Sequence, residues 1–265
     1  MTGQELRLSQ IFRNNQNTFL LPLDHGVTIG PVSGLTDIRS LVDSVKDSIN
    51  GVIVHKGLIP MVSDSISPNG CQLIVHLSAS TSLSPDPNKK LLVTSVEHAV
   101  RRGATAVSIH VNLGSQSEGD MLKDLGVTAD QCEEWGIPLI AMMYVRDGSK
   151  KSEFDCEKIR HAARVAEELG ASIVKVNYTG SSDTFSKVVD SVKIPVVIAG
   201  GPKMSSDREL LTMIRDAVRA GARGVAVGRN LFQHGKSDAL AGIIRQILDS
   251  PVSDDIIDVL LNDLA

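Results

Sequence analysis

Eight short runs of aliphatic and β-branched residues recur along the 265-residue chain, and their spacing limits the fold more than any other feature. They are TFLLPLD (18–24), GVIVHK (51–56), LIVHLS (73–78), AVSIHV (106–111), PLIAMMY (138–144), IVKVNY (173–178), PVVIAG (195–200) and GVAVGR (224–229). Runs this continuously apolar belong to strands covered on both faces, as in a parallel sheet flanked by helices. Between most of them lie amphipathic helical patterns such as SVEHAVRRGA, DCEKIRHAARVAEELGA and SDRELLTMIRDAVRAGA, each running into a Gly-Ala stop before the next strand. The second unit is the weak one, since GLIPMVSDSISPNGCQ contains no convincing helix. Eight βα units in about 250 residues predict an α/β chain folded as one TIM (β/α)8 barrel over residues 1–265, with its active site at the C-terminal ends of the strands. A doubly wound open sheet is the other arrangement of the same units.

Composition removes several classes of partner. The 27 Lys and Arg against 31 Asp and Glu give a net charge of −4, with no long basic run, so neither nucleic acid nor an anionic membrane is an expected partner. Cys71, Cys132 and Cys156 are far apart and form no C-x-x-C pair, which argues against a disulfide framework or a zinc site and suits a reducing cytoplasm. The first residues, MTGQELRLSQIFRNNQN, are polar rather than a signal peptide, and no apolar stretch is long enough to span a bilayer.

Lys175 is the anomaly in this pattern. It stands in the middle of a buried run, where an ammonium is expensive to desolvate unless it is paired or gives up its proton. Alternation along the strand turns Val174 and Val176 toward the helices and Lys175 and Asn177 into the barrel. The same parity sends Ser108, His110 and Asn112 inward, and likewise His76 and Ser78. Asp24 ends the first run and Tyr144 the fifth, so a polar cluster of Asp24, His76, His110, Tyr144, Lys175 and Asn177 is expected at one mouth.

Each residue also has a structural explanation. Inward histidines such as His55, His76 and His110 are more often hydrogen-bonded core residues than catalysts. Lys56 lies at a strand terminus, where a salt bridge is the common fate. A buried ion pair with Asp24 would account for Lys175. Against this, a strand-centre lysine beside a tyrosine in a barrel mouth is the arrangement amine catalysis requires, because desolvation and neighbouring cations favour a free amine that attacks a carbonyl to form a Schiff base. Two glycine-rich ends supply the rest of a site. IAGGPKMSSDREL follows the seventh run and VGRNLFQ the eighth, where TIM barrels bind phosphate, so Gly200, Gly201, Lys203, Gly228 and Arg229 are the candidate phosphate ligands. His25, His110 and Ser78 are candidate substrate contacts. The histidines lack the spacing of a zinc-binding set, and no metal or other cofactor is expected.

Taken in order, LPLDHGVTIGPVSGL, VHKG, LIVHLSASTSLSPDPNKK, AVSIHVNLGS, PLIAMMY, IVKVNYTG, VIAGGPK and GVAVGRNLFQH resemble the class I aldolases of the archaeal fructose-bisphosphate aldolase type over nearly the whole chain. Within that family SLSPDPNKK looks most like the branch of the 2-amino-3,7-dideoxy-D-threo-hept-6-ulosonate synthases. The resemblance implies a Schiff base on Lys175, proton transfer by Tyr144 and assistance from Asp24. It also implies a phosphorylated ketone or ketose donor, a small aldehyde acceptor such as aspartate semialdehyde, and association into a homo-oligomer. The chain departs from the branch where Val145 rather than proline follows Tyr144, and where Ser78-Ala79-Ser80 replaces a glycine pair. A related branch that joins dihydroxyacetone phosphate to aspartate semialdehyde on the way to aminohydroxybenzoate, and a fructose-bisphosphate aldolase, are the alternatives within the family. A non-catalytic sugar-phosphate-binding barrel, which would not need Lys175 and Tyr144 together, is the alternative outside it.

Overall fold

The computed structural model describes residues 2–250, 253–262 and 264. Eight parallel strands close into a barrel: β1 (Thr18–Pro22), β2 (Gly51–Val54), β3 (Gln72–His76), β4 (Ala106–Leu113), β5 (Leu139–Val145), β6 (Ile173–Val176), β7 (Val196–Ala199) and β8 (Gly224–Ala226). Each pairs with its sequence neighbours, and β8 returns to β1 through Leu20 opposite Ala226. The open-sheet alternative is thereby excluded. All eight strands fall on the eight apolar runs, because a strand buried by helices outside and side chains inside tolerates little polarity until it reaches a mouth.

The crossover helices begin and end by local chemistry. Asp37, Ser95, Asp155, Ser181 and Ser206 each accept the backbone N–H three residues on, capping the helices that start at Ile38, Val96, Cys156, Ser182 and Asp207. At the other ends the Gly-Ala pairs close Schellman turns. Gly170 takes φ 90°, and the Ala171 N–H then reaches back to Ala166 O at 2.9 Å, as Ala104 does to Ala99 and Ala222 to Ala217. The weak second unit holds only single turns, a four-residue α-helix Ile59–Val62 between two 3-10 turns.

Two apolar layers follow from strand alternation. Val174, Val176, Val107, Ile109 and Val111 pack outward under the helices, whereas Leu20, Ile53, Ile74, Ala106, Ile140, Ile173, Val197 and Ala226 fill the barrel interior. The N-terminal helix Gly3–Ile11, started by a reciprocal Thr2–Glu5 capping box, brings Ile11 and Phe12 against that inner layer. One end of the barrel is thus sealed by hydrocarbon, and the opposite end is where polar side chains gather. No helix among the described residues is long and apolar enough to cross a membrane.

Candidate active site

Lys175 sits at the centre of β6 with Met142 of β5 and Val197 of β7 as its register partners. It is 6 % exposed, and its Nζ lies 3.9 Å from Met142 Sδ. Asp24 acts on it through space but forms no ion pair with it, so the structural explanation for a buried lysine is absent. A buried lysine beside a thioether, facing a cavity, is available to an incoming electrophile.

Asp24 ends the segment after β1 and precedes the one-turn helix His25–Ile29 without capping it, which leaves its carboxylate free. Its Oδ2 lies 3.7 Å from His76 Nε2 and its Oδ1 3.6 Å from His25 Nδ1. Burial pushes the carboxyl up, but His76, His25, Lys175 and His55 together outweigh burial and hold it below the usual carboxylate range. Asp24 is therefore an anion beside Lys175. Burial pushes His76 down to about 4 against the pull of Asp24, so its imidazole is neutral near pH 7. Its Nδ1 pairs with Ser108 Oγ at 2.8 Å, and its ring meets His55 edge-on at 5.2 Å between centroids.

Tyr144, near the end of β5, leans on His110 with ring centroids 4.7 Å apart, and the Arg146 guanidinium lies over its ring, 5.3 Å from the centroid. His110 is fixed at both ends. Its backbone N–H donates to Ser78 Oγ at 2.9 Å and its Nε2 contacts Asn112 Oδ1 at 2.8 Å, while burial holds the imidazole well below its ordinary pKa.

Across the mouth, Gly200, Gly201, Gly228 and Arg229 form part of the cavity wall. Gly201 has φ 68°, which favours glycine, and a Cβ on Gly228 would stand 2.8 Å from His25 Cε1. Arg229 Nε is buried without a hydrogen-bond partner, a donor in need of an acceptor. Lys203 departs from the sequence expectation: it is exposed and donates to Gln233 O at 2.7 Å, away from the cavity. The cause is Asn230, whose buried amide donates to Gly200 O and Pro202 O and accepts from Met204 N, fixing the turn that points Lys203 outward. Ser78 likewise does not line the cavity but holds the His110 backbone.

Asp24, His25, His110, Tyr144, Lys175 and the glycine wall surround a cavity of about 580 Å³ that also meets Lys90, Lys150, Glu153 and Phe154. Of the expected cluster, Asp24, His110, Tyr144, Lys175 and Asn177 line this cavity together with His25, whereas His76 lies behind Asp24 and does not line it; Asn230, Lys150 and Phe154 were missed. These three carry no strand parity. Among the described residues no three of His, Cys, Asp and Glu converge into a metal-binding group.

Residues 18–234 match the family described as DeoC/LacD family aldolase. The chain belongs to this aldolase family. It is 45 % identical over 248 residues to 2-amino-3,7-dideoxy-D-threo-hept-6-ulosonate synthase 1 of Archaeoglobus fulgidus, covering 94 % of this chain and 92 % of the relative. It is 40 % identical over 248 residues to 2-amino-4,5-dihydroxy-6-oxo-7-(phosphonooxy)heptanoate synthase of Streptomyces griseus, covering 93 % and 90 %. Among solved structures, this aldolase superposes with a TM-score of 0.82 and 29 % identity on an archaeal fructose-1,6-bisphosphate aldolase whose catalytic Lys is covalently bound to the carbinolamine intermediate of the substrate, covering 94 % of this chain and 100 % of the other.

Proposed function

We propose that this class I aldolase joins a ketone donor to aspartate semialdehyde through a Schiff base on Lys175. The observation that carries the reading is Lys175 itself, a buried amine without an ion-pair partner, in one cavity with Tyr144 and the anionic Asp24. The names of the two curated relatives support the substrates. Each describes a seven-carbon chain with a 2-amino acid end and a ketone at the sixth carbon. Such a chain divides into a four-carbon amino-acid aldehyde and a three-carbon ketone fragment.

In this mechanism the Lys175 amine adds to the donor ketone, and the carbinolamine loses water to give an iminium. Tyr144 moves the protons of dehydration and of enamine formation, and Asp24 balances the positive charge beside it. The enamine carbon attacks the aldehyde, which takes up a proton as its oxygen becomes a hydroxyl. Water then releases the product ketone and restores the amine. The donor phosphate rests on Gly200, Gly201, Gly228 and Arg229, where backbone approaches closely and Arg229 Nε lacks a partner. Lys203 reaches that phosphate only if its bond to Gln233 O breaks.

Borohydride reduction in the presence of dihydroxyacetone phosphate should leave one stable adduct, mapped to Lys175, and Lys175→Met should abolish both adduct and turnover. An adduct on Lys56 or Lys90 instead, or none with any phosphorylated ketone, would overturn the mechanism. Cleavage of fructose 1,6-bisphosphate with no product from aspartate semialdehyde would overturn the acceptor and leave the chemistry standing.

A further inference from the structure

Beside Lys175, the cavity holds a second buried lysine that the mechanism does not use. Lys90 is 8 % exposed and lines the cavity, yet its hydrogen bond runs to a neutral oxygen, Ser80 Oγ, at 2.6 Å. Of the cations nearby, Lys56 is engaged with Val93 O, Lys89 with Asp120 and Arg146 with Glu153, whereas Arg229 belongs to the glycine wall and Lys150 to the loop after β5. A desolvated ammonium facing a cavity without a carboxylate partner is costly unless a ligand supplies the anion.

The loop that carries Lys90 is built to hold it there. Residues Ser78 and Ala79 pair antiparallel with Leu92 and Leu91, closing the loop at its base. Ser80 Oγ donates to Pro87 O at 2.7 Å, so its lone pairs are left for the Lys90 ammonium. Asn112 of β4 donates to Asn88 O at 2.8 Å, tying the loop to the barrel rim. The loop follows β3, and the barrel order places β3, β4 and β5 on one side of Lys175 and β7 and β8 on the other. Lys90 therefore lies across the cavity from the glycine wall.

We propose that Lys90 receives the carboxylate of the aldehyde acceptor and so selects aldehydes that carry an acid group. A single buried ammonium backed by a hydroxyl suits a planar monoanion, whereas a phosphate dianion calls for more donors than this corner presents. The inference rests on the aldol reading of Lys175, and its test separates the two.

Wild type is first trapped with dihydroxyacetone phosphate and borohydride; failure at that step strikes the Lys175 reading. With trapping established, aspartate semialdehyde is compared with its isosteric carboxamide. The carboxamide should show a KM roughly 10- to 100-fold higher in wild type, with kcat changing far less. In Lys90→Met the acid and the amide should become nearly equal, with Lys90→Arg restoring part of the preference for the acid. The donor adduct on Lys175 still forming in Lys90→Met would show an intact barrel. Equal use of acid and amide by wild type overturns the proposal even if the variant does not fold. Loss of glyceraldehyde 3-phosphate use in Lys90→Met, with aspartate semialdehyde unaffected, overturns it in favour of a phosphate site.

Discussion

On the β7–β8 side of Lys175 the cavity wall is largely backbone, with Gly200, Gly201 and Gly228 bringing the main chain to the surface. On the β3–β5 side the wall is made of side chains, Lys90, His110, Tyr144 and Arg146, set on strand ends and long loops. The first wall works by the absence of a Cβ and so recognises a group close to the scaffold. The second works by the placement of charges and rings, each of which needs its own support: Ser80 for Lys90, Ser78 and Asn112 for His110, Glu153 for Arg146. Substitution can therefore change what the second wall accepts while sparing the first.

The largest effect expected on this contrast comes from Tyr144→Phe. The ring volume is kept and the stacking on His110 survives, but the proton carrier is gone. Steady-state turnover should fall by roughly two to four orders of magnitude, while borohydride still traps donor on Lys175. Undiminished turnover would make Tyr144 a wall residue like its neighbours and pass the proton to Asp24.

The same contrast explains what could be read in advance. The barrel was legible because eight buried strands must be apolar and most crossover helices start at a capping residue, and both demands are local in sequence. Lys175, Asn177 and His110 were legible because strand parity fixes the face each presents, and Tyr144 because it ends the fifth run at the barrel mouth. The glycine wall was legible by its place after the seventh and eighth strands. Lys203 was misplaced because its direction depends on Asn230, 27 residues further on, which staples the β7 turn from another loop. Lys150 and Phe154 have no periodicity to betray them, and the role of Ser80 appears only once the loop has folded Lys90 back onto it. The helix Gly3–Ile11 went unread because its apolar stripe is faint, with only Leu8, Ile11 and the following Phe12 meeting the barrel floor.

A smaller effect should follow from Gly228→Ala, which tests the backbone wall. The added methyl would meet His25 Cε1 at 2.8 Å and Pro22 O at 3.0 Å, displacing the wall proposed to hold the donor phosphate. KM for dihydroxyacetone phosphate should rise roughly tenfold, with far less change for unphosphorylated dihydroxyacetone, since only the former uses that wall. An equal loss for both ketones would mean that the methyl disturbs His25 and Asp24 rather than a phosphate site.

The smallest effect is on stability and concerns the layer beneath both walls. His76 is neutral in the fold because burial pushes it down to about 4 from an ordinary 6.5. Between those two values the unfolded chain binds a proton at this position that the folded chain does not, so acidification favours unfolding. Its stabilising contribution is complete above about 6.5 and declines as pH falls toward 4. Asp24 behaves differently: its folded pKa is depressed below the ordinary 3.8, so its contribution is present above that value and lost only at lower pH. The two windows do not overlap, which makes them separable by thermal melts. Wild type should lose melting temperature steadily from pH 6.5 to 4, with His25, His55 and His110 contributing in the same direction because each is also held down by burial. His76→Gln should flatten that slope by at most about 1.4 kcal/mol per pH unit, the value of one proton, and should also shrink the loss below pH 3.8, because His76 is the first of the charges that hold Asp24 down. An unchanged slope between 4 and 6.5 would mean that His76 already carries a proton in the fold. It would then be a cation paired with Asp24, and the charge that Asp24 balances beneath the cavity would be shared with an imidazolium rather than left to Lys175.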